Sequence, residues 1–424
     1  MTKFLKKNWY YIVIFIFIYL VYSVLSFANN YGDPIANYGF SYGITRGLLP
    51  YKDFNIISTP LYAFMMSIGL FIWNNYSMFL LEQTLLVTIL FYLLEKVYGK
   101  KCFIVLFVIA CLLFLGINAT YNYCCLFFMV VLLFLENKYK DKDYLIGIVL
   151  GLAILSKHTI GGLFIIPSII YYFKNKDKLL KRFLGLLTVG IIFIIYLLIS
   201  NSFNEFIDLC ILGLFDFSSK NGQIKNVYFY TGIIMFIISL IITIKNRKDI
   251  KNYYLLCGIG FMIPLFDLCH FSFYAQCFTM QLLPFIKKKE NYLGILSIIL
   301  SMASSITLAI RAYNSIEPVL NKDFKAQAYI FNTKYNYTNT MNMFKVYDEY
   351  PDALILSYGK MDYDIYKNRD IDYFSVLLYG NYGYDGSNKM INKIKKMKDT
   401  YIIIEKKSYN DSCIGSQFEK TVVD

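Results

Sequence analysis

The sequence predicts an α-helical multispanning membrane protein of about eleven spans. A long first external loop with a juxtamembrane helix and a small C-terminal extracytoplasmic α/β domain complete it. Three observations predict this architecture. Hydrophobic residues make up 57% of 424, charged residues only 17%, and the mean hydropathy is +0.47, a balance typical of chains that span a bilayer repeatedly. Apolar runs alternate with short Lys/Arg clusters. Beyond Arg311 the composition turns polar, with 15 basic and 15 acidic residues over 312–424. The formal charge of +13 is therefore spread over loops, which excludes a nucleic-acid-binding face.

The first run, Trp9 to Phe27, follows Lys3, Lys6 and Lys7. It is too long for a signal peptide and no small-residue cleavage site follows, so it reads as an uncleaved first span. The basic clusters are Lys3/Lys6/Lys7, Lys96/Lys100/Lys101, Lys138/Lys140/Lys142, Lys174 through Arg182, Lys245 through Lys251, and Lys287 to Lys289. The positive-inside rule puts all six in the cytoplasm, with the N-terminus cytoplasmic in a multi-pass plasma-membrane protein. Between consecutive cytoplasmic clusters the chain crosses an even number of times. From Lys7 to Lys96 there are three runs, 9–27, 60–73 and 77–95, so one does not cross. At about 1.5 Å per residue the run Pro60 to Trp73 reaches roughly 21 Å, short of a ~30 Å hydrocarbon core. It is expected to lie at the membrane surface or re-enter it, extending the first external loop over 28–76.

The remaining runs pair as hairpins: 102–117 with 123–136, 144–156 with 160–173, 183–200 with 227–244, and 253–269 with 271–286. A last run, 291–310, exits to the outside. Several of these are short, so their polar tips are expected below the outer surface: Asn118 to Asn122, Ser156 to Thr159, and Asp267 to His270. Polar backbone at that depth is tolerated where it lines a cavity. The membrane domain is assigned to 1–311 and the extracytoplasmic domain to 312–424. The latter holds two β-like runs, Ala353–Ser357 and Tyr401–Glu405, with a helix from Ser387 to Met397 before the second. The ending at Thr421–Asp424, as a helix begins, reads as a truncation. Most of the nine cysteines lie within apolar runs and read as small hydrophobes, with no zinc spacing among them.

Asp33 follows the first span in Gly32-Asp33-Pro34. This is a turn sequence, and equally a place to hold a carboxylate at the membrane surface as a general base. Asp267, in an apolar run, is costly and reads as functional or paired. Further along the first loop stand Arg46-Gly-Leu-Leu-Pro-Tyr51-Lys-Asp53-Phe54 and Ser58-Thr-Pro-Leu61. Asp33 followed by these stretches resembles the first external loop of the GT-C class of membrane glycosyltransferases, such as protein O-mannosyltransferases and aminoarabinose transferases. Gly147-Ile-Val-Leu-Gly-Leu-Ala-Ile-Leu-Ser-Lys157-His158-Thr is similar to a second stretch of that class. Pro264-x-x-Asp267-x-x-His270 is similar to a third. The likeness runs in order over roughly residues 1–310. Departures are Asp33-Pro34 in place of Asp-Glu or Asp-x-Asp, and Thr59-Pro60-Leu61 in place of Pro-Pro-Leu.

The resemblance implies transfer of a sugar from a polyprenyl-phosphate donor to an acceptor on the outer membrane face, a cell-surface glycan, lipid or protein. Asp33 would deprotonate the acceptor hydroxyl, which attacks the anomeric carbon with inversion. The departing lipid phosphate needs cations, and Arg46, Lys157, His158 and His270 are candidates on the predicted outer side. Asp53 would hold structure or position substrate. The tyrosines themselves read mostly as interfacial belts and core, although Tyr31, Tyr38, Tyr42 and Tyr51 could stack on sugar rings. The plain alternatives are a snorkelling Lys157, helix-capping histidines and tyrosines of core or interface. No cofactor is expected, and a divalent metal is admissible without being required. Two other classes compete. A lipid-linked-oligosaccharide flippase or transporter predicts repeated halves, which the sequence lacks. A polysaccharide polymerase or ligase predicts a late loop rich in Arg and His, whereas 201–226 has only Lys220 and Lys225.

Overall fold

The computed structural model describes residues 2–26, 33–99, 121–220, 227–260, 268–287, 292, 294–296, 299, 338–357, 360–377, 380–397 and 401–404. In chain order the elements are α1 (Thr2–Ser26), α2 (Asp33–Thr45), α3 (Leu61–Leu70), α4 (Tyr76–Tyr98), α5 (Tyr121–Lys138), α6 (Asp143–Ser156), α7 (His158–Gly161) and α8 (Ile165–Tyr172). There follow α9 (Lys176–Ile199), α10 (Phe203–Phe206), a π-helical turn (Ile207–Leu212), α11 (Gly213–Lys220), α12 (Val227–Lys245), α13 (Ile250–Gly260) and α14 (Leu268–Leu282). The last are α15 (Thr338–Glu349), β1 (Leu354–Leu356), α16 (Lys360–Tyr366), α17 (Gly386–Lys395) and β2 (Ile402–Ile404). Among the described residues the protein is mostly helical, with one small sheet. Among the described residues α4, α5 and α9 are long and apolar enough to cross a membrane. The expected run 102–117 and most of 291–310 lie outside the described residues.

The chain forms two compact units, neither continuous in sequence. The first gathers 1–26, 80–192 and 223–316. Within it α5 packs on α6, and α12, α13 and α14 pack on one another. Glycines set the closest approach, between α6 and α9. A Cβ on Gly147 would lie 2.0 Å from the Arg182 carbonyl oxygen, and one on Gly185 would lie 2.1 Å from that of Tyr144. Gly151, four residues on, faces Val189 in the same way. The Gly-x-x-x-Gly of the second motif is thus a helix-crossing device of the kind membrane helices use.

That crossing carries a buried charged cluster. Arg182 donates from Nε to Asp143 Oδ1 at 2.8 Å, from Nη1 to Glu136 Oε1 and Ser168 Oγ, and from Nη2 to Glu136 Oε2 at 3.1 Å. Tyr172 and Tyr254 hydroxyls also donate to Glu136. The sequence places Arg182 in a solvated cytoplasmic cluster, whereas the side chain is 2% exposed. Lys178, one turn earlier, keeps its ammonium half-exposed, donating to the Lys140 carbonyl. Buried charges in such a place persist only when paired and hydrogen-bonded, a condition this cluster meets with two carboxylates around one guanidinium.

The second unit gathers 27–79, 193–222 and 317–424. The stretch expected as the first external loop is here a folded element. Asp33 and Pro34 open α2 instead of forming an isolated turn; Pro lacks the amide that the first helical turn would leave unbonded anyway, so it fits there. The run 60–73 forms α3, a helix of 10 residues that reaches only about 15 Å. It packs on α2 and leaves Ile68, Phe71, Ile72 and Trp73 exposed. β1 and β2 pair in parallel, Leu354 opposite Ile402 through Leu356 opposite Ile404. Each side of β1 has a core: Ile355 meets Phe344, Tyr347 and Tyr363, while Leu354 and Leu356 meet Phe374, Leu377, Tyr382 and Met390. The expected strands 353–357 and 401–405 and helix 387–397 correspond to β1, β2 and α17.

Candidate active site

Asp33 is the first residue of α2. The helix behind it is held by aromatic packing. Tyr38 meets Tyr76 edge-on at 5.1 Å, and Phe40 stacks on Phe54 at 5.7 Å. Tyr38, Tyr42 and Tyr51 are all buried, so these rings build the core of the unit and are not an open stacking platform. Burial pushes the Tyr38 hydroxyl above its ordinary pKa. Tyr31 lies outside the described residues.

The Arg46–Phe54 stretch closes α2 with a compact turn. Gly47 takes φ +84, and the Leu48 amide reaches back to the Gly43 carbonyl at 3.1 Å. Asp53 Oδ2 accepts the Leu49 amide at 2.7 Å, and the Tyr51 amide donates to the Phe54 carbonyl at 3.0 Å. Tyr51 itself takes φ +71, a left-handed conformation that costs a non-glycine residue about 1 kcal/mol. Its hydroxyl donates to the Ser58 carbonyl at 2.9 Å and accepts the Cys210 thiol at 3.5 Å, and its ring meets Phe206 edge-on. Burial raises both groups, the Cys210 thiol to about 12. Asp53, expected to hold structure or position substrate, and Tyr51, expected at the substrate, both take part in the fold of the loop itself.

Arg46 lies just beyond α2 and pairs with the C-terminal part of the chain. Its Nε binds Asp370 Oδ1, its Nη1 donates to Asn368 Oδ1 at 3.0 Å, and its guanidinium lies 5.5 Å from the Tyr42 ring centroid. Asp370 beside it raises the guanidinium pKa further. Nothing local in the sequence pointed to Asn368 or Asp370, more than 320 positions away. The same holds for Asp208, which accepts the Tyr384 amide at 3.2 Å and the Lys389 ammonium.

Lys157 and His158 belong to the first unit. Lys157 ends α6 in an extended conformation (φ −156, ψ 102). Its ammonium donates to Asn122 Oδ1 and sits 4.8 Å from the Tyr121 ring centroid, so it is held by the start of α5. His158, half-buried, opens α7. His270 is in the first turn of α14, and Asp267 lies outside the described residues. Arg46, Tyr51 and Asp53 therefore share one turn at the end of the helix that Asp33 begins, and Lys157 and His158 share one helix junction. Among the described residues no three His, Cys, Asp or Glu side chains gather as a metal site would require.

No family model matches the chain, and no curated protein sequence matches it significantly. Among solved structures it is similar to the crystal structure of an oligosaccharyltransferase from Archaeoglobus fulgidus in complex with zinc and sulfate. The TM-score is 0.43 at 13% sequence identity, over 84% of this chain and 61% of that one. The chain thus spans about three fifths of the length of the structure it resembles.

Proposed function

We propose that the protein is a membrane glycosyltransferase that moves a sugar from a polyprenyl-phosphate donor to an outer-face acceptor, with Asp33 as general base. One observation carries the assignment of the base. Of the two acidic residues in the sequence of the first loop, Asp53 accepts the Leu49 amide, and Asp33, the residue that the resemblance gives as the base, begins α2. Asp33 takes the acceptor hydroxyl proton as that oxygen attacks the anomeric carbon. The bond from that carbon to the phosphate oxygen breaks, and the lipid phosphate leaves with the electron pair, giving inversion. Lys157, His158 and His270 neutralise the departing phosphate, a charge that is costly to leave unpaired in a low-dielectric site. Arg46, already paired with Asp370, is assigned to holding the loop.

The test uses the full chain in purified membranes with a radiolabelled polyprenyl-phosphate sugar and extracted cell-surface acceptors. Asp33→Asn is expected to lower transfer by about 10²- to 10⁴-fold, the range of a general base, with its size-exclusion profile unchanged. Near-normal activity in that variant sinks the assignment. Movement of labelled lipid-linked sugar across vesicles, with no new glycosidic product, would instead identify a flippase.

A further inference from the structure

We propose that residues 360–372 act as a clamp that fixes the orientation of α2 and so positions Asp33 at its start; this rests on the reading of Asp33 as the base. α2 presents two glycines one turn apart, Gly39 and Gly43, and the clamp fills the space above them. A Cβ on Gly39 would lie 2.3 Å from Met361 Sδ, and one on Gly43 would lie 2.8 Å from Ile371 Cδ1. Polar contacts follow on the same helix toward its end. The Tyr42 hydroxyl donates to Asn368 Oδ1 at 2.9 Å and to the Arg369 carbonyl at 3.2 Å. Arg46 grips Asn368 and Asp370. Asn368 takes φ +55, the left-handed turn in which its side chain meets Tyr42 and Arg46 together.

The clamp is rigid on its own account. Lys360 Nζ donates to Asp364 Oδ2 at 2.7 Å and to Asp372 Oδ2 at 3.0 Å, and Ser375 Oγ donates to Asp364 Oδ2 at 3.1 Å. These bonds tie its first residue to its last. A stiff clamp on the far half of α2 acts as a lever on the near end. Thirteen residues span about 18 Å at 1.5 Å per residue, so a tilt of about 5° moves Asp33 by roughly 1.5 Å. A misplacement of about 1 Å is enough to cost on the order of 100-fold in rate.

Asp370→Asn, Asn368→Ala and Asp370→Glu in the full-length protein test the clamp by kinetics and by amide hydrogen exchange. Expected results are a 10- to 100-fold fall in kcat for Asp370→Asn and Asn368→Ala, with the donor KM within about threefold of wild type. Asp370→Glu should recover most of the loss. Exchange across 33–45 should rise at least tenfold in the two damaging variants. If Arg46 instead served the phosphate with Asp370 as a competitor, Asp370→Asn would keep kcat and lower the donor KM; that result overturns the clamp. Unchanged exchange over 33–45 overturns it as well. A wild-type protein without transferase activity refutes the assignment of the base, and exchange alone then decides whether the clamp holds α2.

Discussion

Gly147→Ala is the most informative perturbation of the first unit. A Cβ at this position would lie 2.0 Å from the Arg182 carbonyl oxygen, and also within 3 Å of that residue's carbonyl carbon and Cα. All three are backbone atoms, so no rotamer change relieves the contact. Reaching even the 3.0 Å below which such contacts are not seen requires α6 and α9 to part by at least about 1 Å. The Arg182 side chain bridges that same crossing, and its Nε–Oδ1 bond to Asp143 at 2.8 Å would open to nearly 4 Å, beyond hydrogen-bonding range. Losing one charge-assisted bond costs about 1.5–3 kcal/mol, and overpacking adds about 1–3 kcal/mol. A total of about 2.5–6 kcal/mol is expected. The assay is thermal stability in detergent, read as the fraction that stays monodisperse after heating. Gly190→Ala, on α9 with nothing within 4 Å of its Cβ, is the control, and should be neutral or stabilise by up to about 1 kcal/mol. A Gly147→Ala protein as heat-resistant as the control would refute both the tight crossing and the bridging role of Arg182.

Two further outcomes are expected. Tyr51→Phe removes the buried donor to the Ser58 carbonyl and should destabilise by about 1–2 kcal/mol, measured by the same heating assay; no loss would show that the hydroxyl does not hold the turn. Lys367 and the Tyr363 hydroxyl hold Asp348 below the ordinary carboxylate value of 3.8. Its stabilisation is therefore present above that pH and is lost as pH falls through the lowered value. Heating midpoints between pH 5 and pH 3 should fall less steeply in Lys367→Met than in wild type, by a small and salt-screened margin because the pair is well exposed.

Local patterns in the sequence carried part of this structure. The 60–73 run forms a helix too short to cross because its apolar stretch is short, and length is readable directly. The two strands stand out as Leu/Ile runs in polar surroundings. What escaped is pairing between distant residues. Arg46 reads as a spare cation until Asp370 is placed beside it, and Arg182 reads as a surface charge until Glu136 and Asp143 fold around it. In the stretch from Arg46 to Phe54, Tyr51 and Asp53 belong to a turn that bonds Leu49 to Asp53 and seats a left-handed residue, a geometry that the sequence alone does not spell out. Motif resemblance marks such residues without separating builders from reactants.

The second unit draws on three stretches far apart in sequence, which dictates the schedule of its own biosynthesis. Arg46 and Asp370 are 324 positions apart, so at about 5–20 residues per second roughly 15–65 s pass between synthesis of the two. Throughout that interval the side chains that cover Gly39 and Gly43 are not yet made, and that face of α2 stands open. A nascent chain arrested before residue 360 should therefore show residues 33–45 as protease-sensitive, becoming resistant only when the clamp segment has been made. Maturation of this protein is gated at its last domain, although the helix being matured is among the first to be made.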